Sequence, residues 1–373
     1  MSRDANTPAG VHERVKTTRM RAALCQIGLM LAALSASAQA PAPLPPWLPT
    51  PWKAVAPIPE AAEELYAVTI GQKMYVFGGI SRGVIPKGDV MVYDAQTDTW
   101  TKKRPMAVPA HHTAVAALNG KIYLFGGFAT ETGVVGWKPI ADAMEYDPEA
   151  DTWRALPPLS IARGSAVAEV VGGKIYVIGG AGMNAGEAPR AIHPFEPQRS
   201  VDLVEEFDPA TNTWRQRASM PTPRNHMFSG TVDGKIYVMG GRVGTPFIMS
   251  ATNTDVVEVY DPAKNAWGAP RAQMPTPRSG GASGTYGGKI YAAGGEFQDG
   301  RMMAAFRTVE AFDPATNSWS TLPRMIVPRH GHAGGFLGSN FHIVSGNVQS
   351  AAPGGPPTQT PRHDKLDVSA VPK

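Results

Sequence analysis

Ile175-Tyr176-Val177-Ile178-Gly179-Gly180, followed later by Phe207-Asp208-Pro209-Ala210-Thr211-Asn212-Thr213-Trp214, is the stretch whose reading decides the fold. An apolar, β-branched run closed by two glycines reads as a buried strand ending where another backbone must come close. In the second segment the aspartate caps locally, the proline presets φ and the asparagine tolerates the left-handed region, so a tight turn joins an aromatic-bearing strand to a tryptophan-bearing one. The same pair of signals recurs along the chain. Glycine doublets close apolar runs at Gly78-Gly79, Gly126-Gly127, Gly240-Gly241 and Gly294-Gly295, with a degenerate sixth copy at Ser345-Gly346. Trp52, Trp100, Trp153, Trp214, Trp267 and Trp319 each precede the next doublet by 26 residues, or 27 for Trp267.

Each unit reads as four short strands. Asn119-Gly120, Gly172-Gly173, Asp233-Gly234 and Gly287-Gly288 stand before the doublet-bearing strands, and such residues accept the positive φ of two-residue hairpins. Repeats of about 50 residues with four strands apiece suggest propeller blades, because one small twisted sheet cannot bury both faces without neighbours. The 40 Gly and 35 Pro in 373 residues argue against a helical protein, because each costs stability inside a helix.

These residues resemble the kelch family, whose hallmark is a Gly-Gly doublet followed by a Tyr and a Trp at fixed separation. The resemblance covers roughly residues 52–368 and implies an all-β, six-bladed kelch-type β-propeller. Glycines, Tyr/Phe and Trp are then architectural, filling the gaps between blades. Trp52 has no three strands before it, while Lys365-Leu366-Asp367-Val368 has no tryptophan after it. The N-terminal strand is therefore expected to complete the C-terminal blade and close the ring over residues 52–373, leaving no open edge.

Arg19 and Arg21 precede an apolar run, Ala22 to Leu34, and the small residues Ser35-Ala36-Ser37-Ala38 follow. This predicts a secretory signal over residues 1–38, with Met20 an alternative start, then a Pro-rich lead-in over 39–51 and a periplasmic or secreted mature protein. The run is too short to span a bilayer, so no membrane insertion is expected after cleavage. The single Cys25 lies in that leader, which excludes disulfides, thiolate zinc sites and thiol catalysis in the mature chain. Removing the leader's five bases and two acids lowers the net charge from +4 to +1, which gives no reason to expect nucleic acid as a partner.

In a four-stranded meander, second-to-third connections and interblade links share one face. The distance from doublet to aromatic varies from 14 residues (Gly79 to Tyr93) to 27 (Gly180 to Phe207), and variable loops on a rigid scaffold are where binding usually lives. Sixteen residues before each doublet stand Ala62, Ala110, Arg163, Arg224, Arg278 and Arg329. Four arginines at one mouth suit carboxylates through paired hydrogen bonds, with His112, His226, His330 and Arg242 beside them as further ligand-binding candidates. The alternative for the arginines is that they brace the adjoining blade. Arg190, His193, Phe195 and Arg199 in the third-unit loop form either a rim or a plain insertion.

His330 and His332 alternate onto one face with His342 on the neighbouring strand, but no further ligands stand at defined spacing and no metal or other cofactor is expected. His111 and His112 point to opposite faces if extended. No Walker loop or His-Glu-x-x-His motif is present. The copper-radical site of the kelch-type galactose oxidases needs a Tyr crosslinked to Cys, so that activity is not expected. The chain is also similar to the periplasmic N-acetylneuraminate epimerases, whose chemistry would place Glu296 as acid or base and Arg301 as the cation holding a sugar carboxylate, with Arg242 or Arg278 near. The leading expectation is a monomeric binding module for a carbohydrate, an acidic small molecule or a segment of an envelope or extracellular protein. A cofactor-free sugar epimerase or mutarotase is the alternative.

Overall fold

The computed structural model describes residues 50–81, 85–131, 134–183, 186–191, 199–243, 252–298, 303–350 and 358–371. The leader lies outside them, and so do Arg301, His193 and Phe195. Among the described residues six antiparallel sheets each take four long-range strands, and the only helical element is the short turn Val368–Ala370. The first sheet is Glu63–Ile70, Lys73–Ser81, Val90–Asp94 and Thr99–Lys102. The second is Ala114–Leu118, Lys121–Phe125, Ala143–Asp147 and Thr152–Leu156. The third is Val167–Val171, Lys174–Ile178, Val204–Asp208 and Thr213–Gln216, and the fourth Phe228–Val232, Lys235–Met239, Val257–Asp261 and Ala266–Trp267. The fifth is Ala282–Tyr286, Lys289–Ala293, Val309–Asp313 and Ser318–Thr321. The sixth is Ala333–Leu337, Asn340–Val344 and His363–Asp367, with Trp52–Val55 paired antiparallel on its outer edge, Trp52 opposite Leu366.

The hairpins form as their residues dictate. Both residues of Asn119-Gly120 (φ 52° and 75°) and of Asp233-Gly234 (49° and 69°) take the left-handed region, which matches the right-handed twist of the flanking strands. In the outer turns Asp98, Asp151, Asn212, Asn265 and Asn317 do the same. Their side chains then accept from neighbours: Asn265 Oδ1 takes the Tyr260 hydroxyl at 2.7 Å and the Ala218 amide of the preceding link at 2.8 Å.

Neighbouring sheets are joined by two repeated contacts. Each of the six tryptophans donates its ring N–H to a carbonyl beyond the fourth strand of the previous sheet. Examples are Trp267 to Ala218 at 2.9 Å, Trp100 to Ala56 at 2.8 Å and Trp52 to Pro323 at 2.9 Å. The second glycine of a doublet donates its amide to the link entering the next sheet: Gly180 to Arg224 O at 2.9 Å, Gly295 to Arg329 O at 2.8 Å, and Gly346 to Ala62 O at 2.9 Å. A Cβ on Gly78 or Gly126 would fall 2.2 Å from such a carbonyl, so only glycine fits there. The apolar clusters sit between sheets. Trp52, Tyr291, Phe341 and Leu366 pack the fifth against the sixth, and Leu65, Tyr93, Leu337 and Val344 pack the sixth against the first. The first strands adjoin in the order one to six, and that of the sixth sheet adjoins that of the first.

Candidate functional site

The link residues set the chemistry of one end of this arrangement. Arg163, Arg224, Arg278 and Arg329 are fully buried, and their guanidinium groups are held inside the sheets instead of being presented at the mouth. Each pairs with a carboxylate on the third strand of its own sheet: Arg163 with Glu205 (2.6 Å), Arg224 with Glu258 (2.6 Å), Arg278 with Glu310 (2.5 Å) and Arg329 with Asp364 (2.5 Å). Arg224 also donates to the carbonyls of Gly240 and Val256, each at 2.9 Å. Burial pulls on each of these cations and the partner carboxylate holds against it. The bracing reading of these four therefore describes what they do, because a buried guanidinium must be neutralised and hydrogen-bonded where it lies.

Two residues after each link arginine position the chain turns left-handed. The six equivalent residues are Glu64 (φ 55°), His112 (56°), Ser165 (57°), His226 (54°), Gly280 (66°) and Gly331 (57°). Their backbones form a belt: Ser165 N donates to His112 O at 2.8 Å, His226 N to Ser165 O at 3.0 Å, Gly280 N to His226 O at 3.0 Å and Gly331 N to Gly280 O at 2.7 Å. Leu65 N reaches Gly331 O at 3.2 Å. Two sheets use glycine, the residue this conformation favours. The other four retain side chains at a cost of about 1–2 kcal/mol each, and such strain collects at functional sites.

Those retained side chains meet. His112 Nε2 lies 3.1 Å from Glu64 Oε2, and the His112 and His226 rings are 4.8 Å apart, edge to face. His226 Nδ1 engages Asn225 Oδ1, and its Nε2 is 3.4 Å from Ser165 Oγ. His330 Nε2 stands 3.8 Å from Glu64 Oε1 and from Glu63 Oε2, and 3.5 Å from Glu296 Oε2. Arg242 and Glu296, the residues following the fourth and fifth doublets, form a buried pair; Arg242 Nε also donates to Ser279 Oγ at 2.9 Å, and Ser350 Oγ donates to Glu296 Oε2 at 2.9 Å. Burial would raise the Glu64 carboxyl, but His112, His330 and His226 outweigh it and hold the group well below the usual carboxylate range. Burial, with Arg242 and His112 beside it, pushes His226 well below the usual imidazole value. Burial opposes protonation of His330 too, yet Glu296, Glu64 and Glu63 raise it.

Thus the structure brings together His112, His226, His330, Arg242 and Glu296, and separates them from the four link arginines. His342 is elsewhere, with its Nδ1 2.8 Å from His363 Nε2 in the seam between the sixth and first sheets. His332 is buried against the Ala293 backbone. His111 and His112 do not point apart, because the link is left-handed at His112 and the two rings lie 4.6 Å from each other.

The first strands enclose a channel of about 400 Å³, reached at the belt end by His226 and Ser165. Its walls are largely small, including Ala116, Ala168 and Gly284. Glu169 stands within it, accepting from Ser229 Oγ at 2.7 Å and Thr231 Oγ1 at 2.8 Å, and burial pushes its carboxyl up despite those bonds. Sequence reasoning missed Glu169, Glu63 and Glu64. For Glu64 a signal was present, since it occupies the place two after Ala62 that His112 and His226 occupy after Ala110 and Arg224.

With doublets, tryptophan clips and four-stranded sheets in place, comparison with known proteins gives the family. Residues 50–306 match the Attractin/LZTR1 beta-propeller family. The chain belongs to that family. This propeller is 29% identical to Kelch-like protein terF of Aspergillus terreus over 80% of its length, and 28% identical to the human Kelch-like protein 23 over 72%. It spans 64% of the first relative's length and 43% of the second's. Among solved structures it is similar to that titled "Structure of YjhT", with a TM-score of 0.68 and 18% identity, covering 83% of this chain and 96% of the other. At that identity the likeness speaks for a shared propeller fold alone.

Proposed function

We propose that this kelch propeller is a secreted or periplasmic binding module whose residues 52–373 form a six-bladed ring closed by Trp52–Val55. The cyclic order of tryptophan clips, with Trp52 donating to Pro323 as Trp267 does to Ala218, supports the closure. The leader pattern of Arg19 to Ala38 supports the export.

The ligand is a carbohydrate seated in the axial channel against its belt end. The observation that carries this reading is the channel itself: small-walled, of a volume suited to a small molecule, and furnished with Glu169, Ser229, Thr231, Ser165 and His226. Carboxylates and imidazoles accept from sugar hydroxyls, and serine and threonine serve either role. An acidic ligand is disfavoured, since the four link arginines are internally paired, three carboxylates (Glu63, Glu64, Glu296) stand around His330 at the belt, and Arg242 is held by Glu296. Calorimetric titration of chelator-treated protein with neutral and acidic mono- and oligosaccharides tests this. Neutral sugars are expected to bind at least tenfold more tightly than acidic ones, with the affinity lost in Glu169→Gln and His226→Gly. Equal affinity in those variants, or no saturable binding by any sugar, overturns it.

A second reading, a cofactor-free sugar epimerase or mutarotase, is favoured by one observation: Glu296 sits against Arg242 and within 3.5 Å of His330, an acid–base pair beside a cation. NMR of sugar anomers separates the two, because only an enzyme speeds anomer exchange in proportion to its concentration.

A further inference from the structure

We infer that Glu64, His112 and His226 form a site for one divalent transition-metal ion of the zinc class on the axis of the propeller. The inference concerns the belt at which the carbohydrate reading ends but does not depend on a sugar being the ligand.

The argument starts from register. The three residues lie far apart in sequence, yet they occupy the same belt position in the first, second and fourth sheets, so the ring symmetry turns their side chains toward one another. One ligand atom from each, two imidazole nitrogens and a carboxylate oxygen, lies within 4.8 Å of the others. Bonds of about 2.0–2.2 Å to a tetrahedral ion need ligand atoms roughly 3.5 Å apart, so closure asks for about an ångström of side-chain adjustment. The spacing of sequence motifs could not reveal this set, because metal-ligand signatures are local and this one is assembled by the closing of sheets.

Two independent observations point the same way. Glu64 Oε2 is buried and receives no hydrogen bond of good geometry, although His112 Nε2 is 3.1 Å away. An acceptor left in that state wants a cation. The histidines are also held from behind. His226 Nδ1 engages Asn225 Oδ1, whose amide nitrogen is fixed by Ser200 Oγ at 2.8 Å, and His112 Nδ1 abuts His111 Nδ1. Anchoring the second ring nitrogen is how proteins orient a metal-ligating imidazole. The backbone adds its own sign, since these side chains are kept at left-handed positions where Gly280 and Gly331 serve two of the other three sheets. Two imidazoles and one carboxylate suit zinc and its neighbours, and three protein ligands leave a position for water or a ligand oxygen.

The test uses the full chain, stripped with chelator and titrated with Co²⁺ and Zn²⁺ in the absence of any sugar. One equivalent of Co²⁺ is expected to give visible absorption that Zn²⁺ abolishes. His112→Gly and His226→Gly should each weaken Zn²⁺ binding at least 100-fold while melting cooperatively, because glycine fits the belt. Glu64→Gln should weaken it at least tenfold, and His342→Gln, remote from the belt, should not change it. Zinc-edge X-ray absorption of the wild-type chain, which requires no variant to fold, should count two imidazoles. The proposal is overturned if uptake is not saturable at one ion per chain, if both histidine variants bind as the wild type does, or if the zinc shell contains no imidazole. Since only metal is titrated, failure here leaves the carbohydrate reading standing, and failure of sugar binding leaves this one.

Discussion

Replacing Arg224 by methionine should unfold this propeller far more readily than it alters any ligand affinity. In the native fold the guanidinium is fully buried and donates to Glu258 at 2.6 Å and to the carbonyls of Gly240 and Val256 at 2.9 Å, with weaker bonds to Thr222 O and Val238 O at 3.3 and 3.4 Å. Methionine fills much of the volume but leaves Glu258 charged and buried, holding only Thr222 Oγ1 at 2.8 Å. Breaking such a pair from one side costs about 3–5 kcal/mol. For a chain of this size that is a fall in Tm of roughly 4–7 °C. Arg224→Met combined with Glu258→Leu removes the stranded charge and should recover about 2 kcal/mol, the coupling expected of contacting residues. Urea and thermal melts of the two single variants and the double give the cycle. Arg163 sets the scale from the other side: its Nε and Nη2 have no hydrogen bond, so Arg163→Met should cost less than Arg224→Met. A change below about 1 °C for Arg224→Met, or a double variant no more stable than the worse single, would refute the bracing argument.

Three further outcomes follow from the seams, the belt and the buried histidines. Trp52→Ala should cost about 3–5 kcal/mol, close to the cost of Trp267→Ala, because both rings clip to the preceding sheet at 2.9 Å; chemical denaturation showing Trp52 nearly silent and Trp267 costly would mean the ring does not close through its first strand. At His226 the usual order of substitutions should invert, with His226→Gly more stable than His226→Ala by about 1 kcal/mol, since φ is 54°; equal melting temperatures would remove the strain argument. Acid should act on the seam of the sixth and first sheets. Burial, with Lys365 adding to it, lowers His342 to about 3, and burial with His342 beside it pushes His363 well below the usual value. The unfolded chain takes up these protons below about pH 6.5 while the native chain resists, so stability is full above that pH and falls as pH drops toward 3, by about 1.4 kcal/mol per pH unit for each histidine. His342→Gln with His363→Gln should therefore flatten the pH dependence of the urea midpoint between pH 6.5 and 4 by about two protons, and an unchanged slope would count against it.

What the sequence made legible is what is enforced locally. A glycine doublet, an Asn-Gly hairpin or an Asp-x-x-x-Asn turn carries its backbone conformation in its own residue types, so the register of the sheets can be read without knowing their neighbours. The site is of another kind. Glu64, His112 and His226 are neighbours only because the sheets turn about one axis, and nothing within a few residues of any of them records that. The four arginines show the same limit, since their exposure depended on whether a carboxylate lay inside the sheet.

That partner was nevertheless written in the chain. Two residues before the third-strand aromatic, or Leu366 in the sixth sheet, stand Glu205, Glu258, Glu310 and Asp364 in the four sheets whose link position is arginine. In the two sheets where it is Ala62 or Ala110, the residues at the same place are Met91 and Met144. A buried cation and its carboxylate are retained or lost together, because either alone would be stranded away from water. Six copies of one motif in a single sequence thus act as their own comparison set: positions that change as a pair, acid with arginine and methionine with alanine, are bound to each other. Positions that change without a compensating partner, such as Glu, His, Ser, His, Gly and Gly along the belt, are free of that structural tie. They are where ligand chemistry can be built.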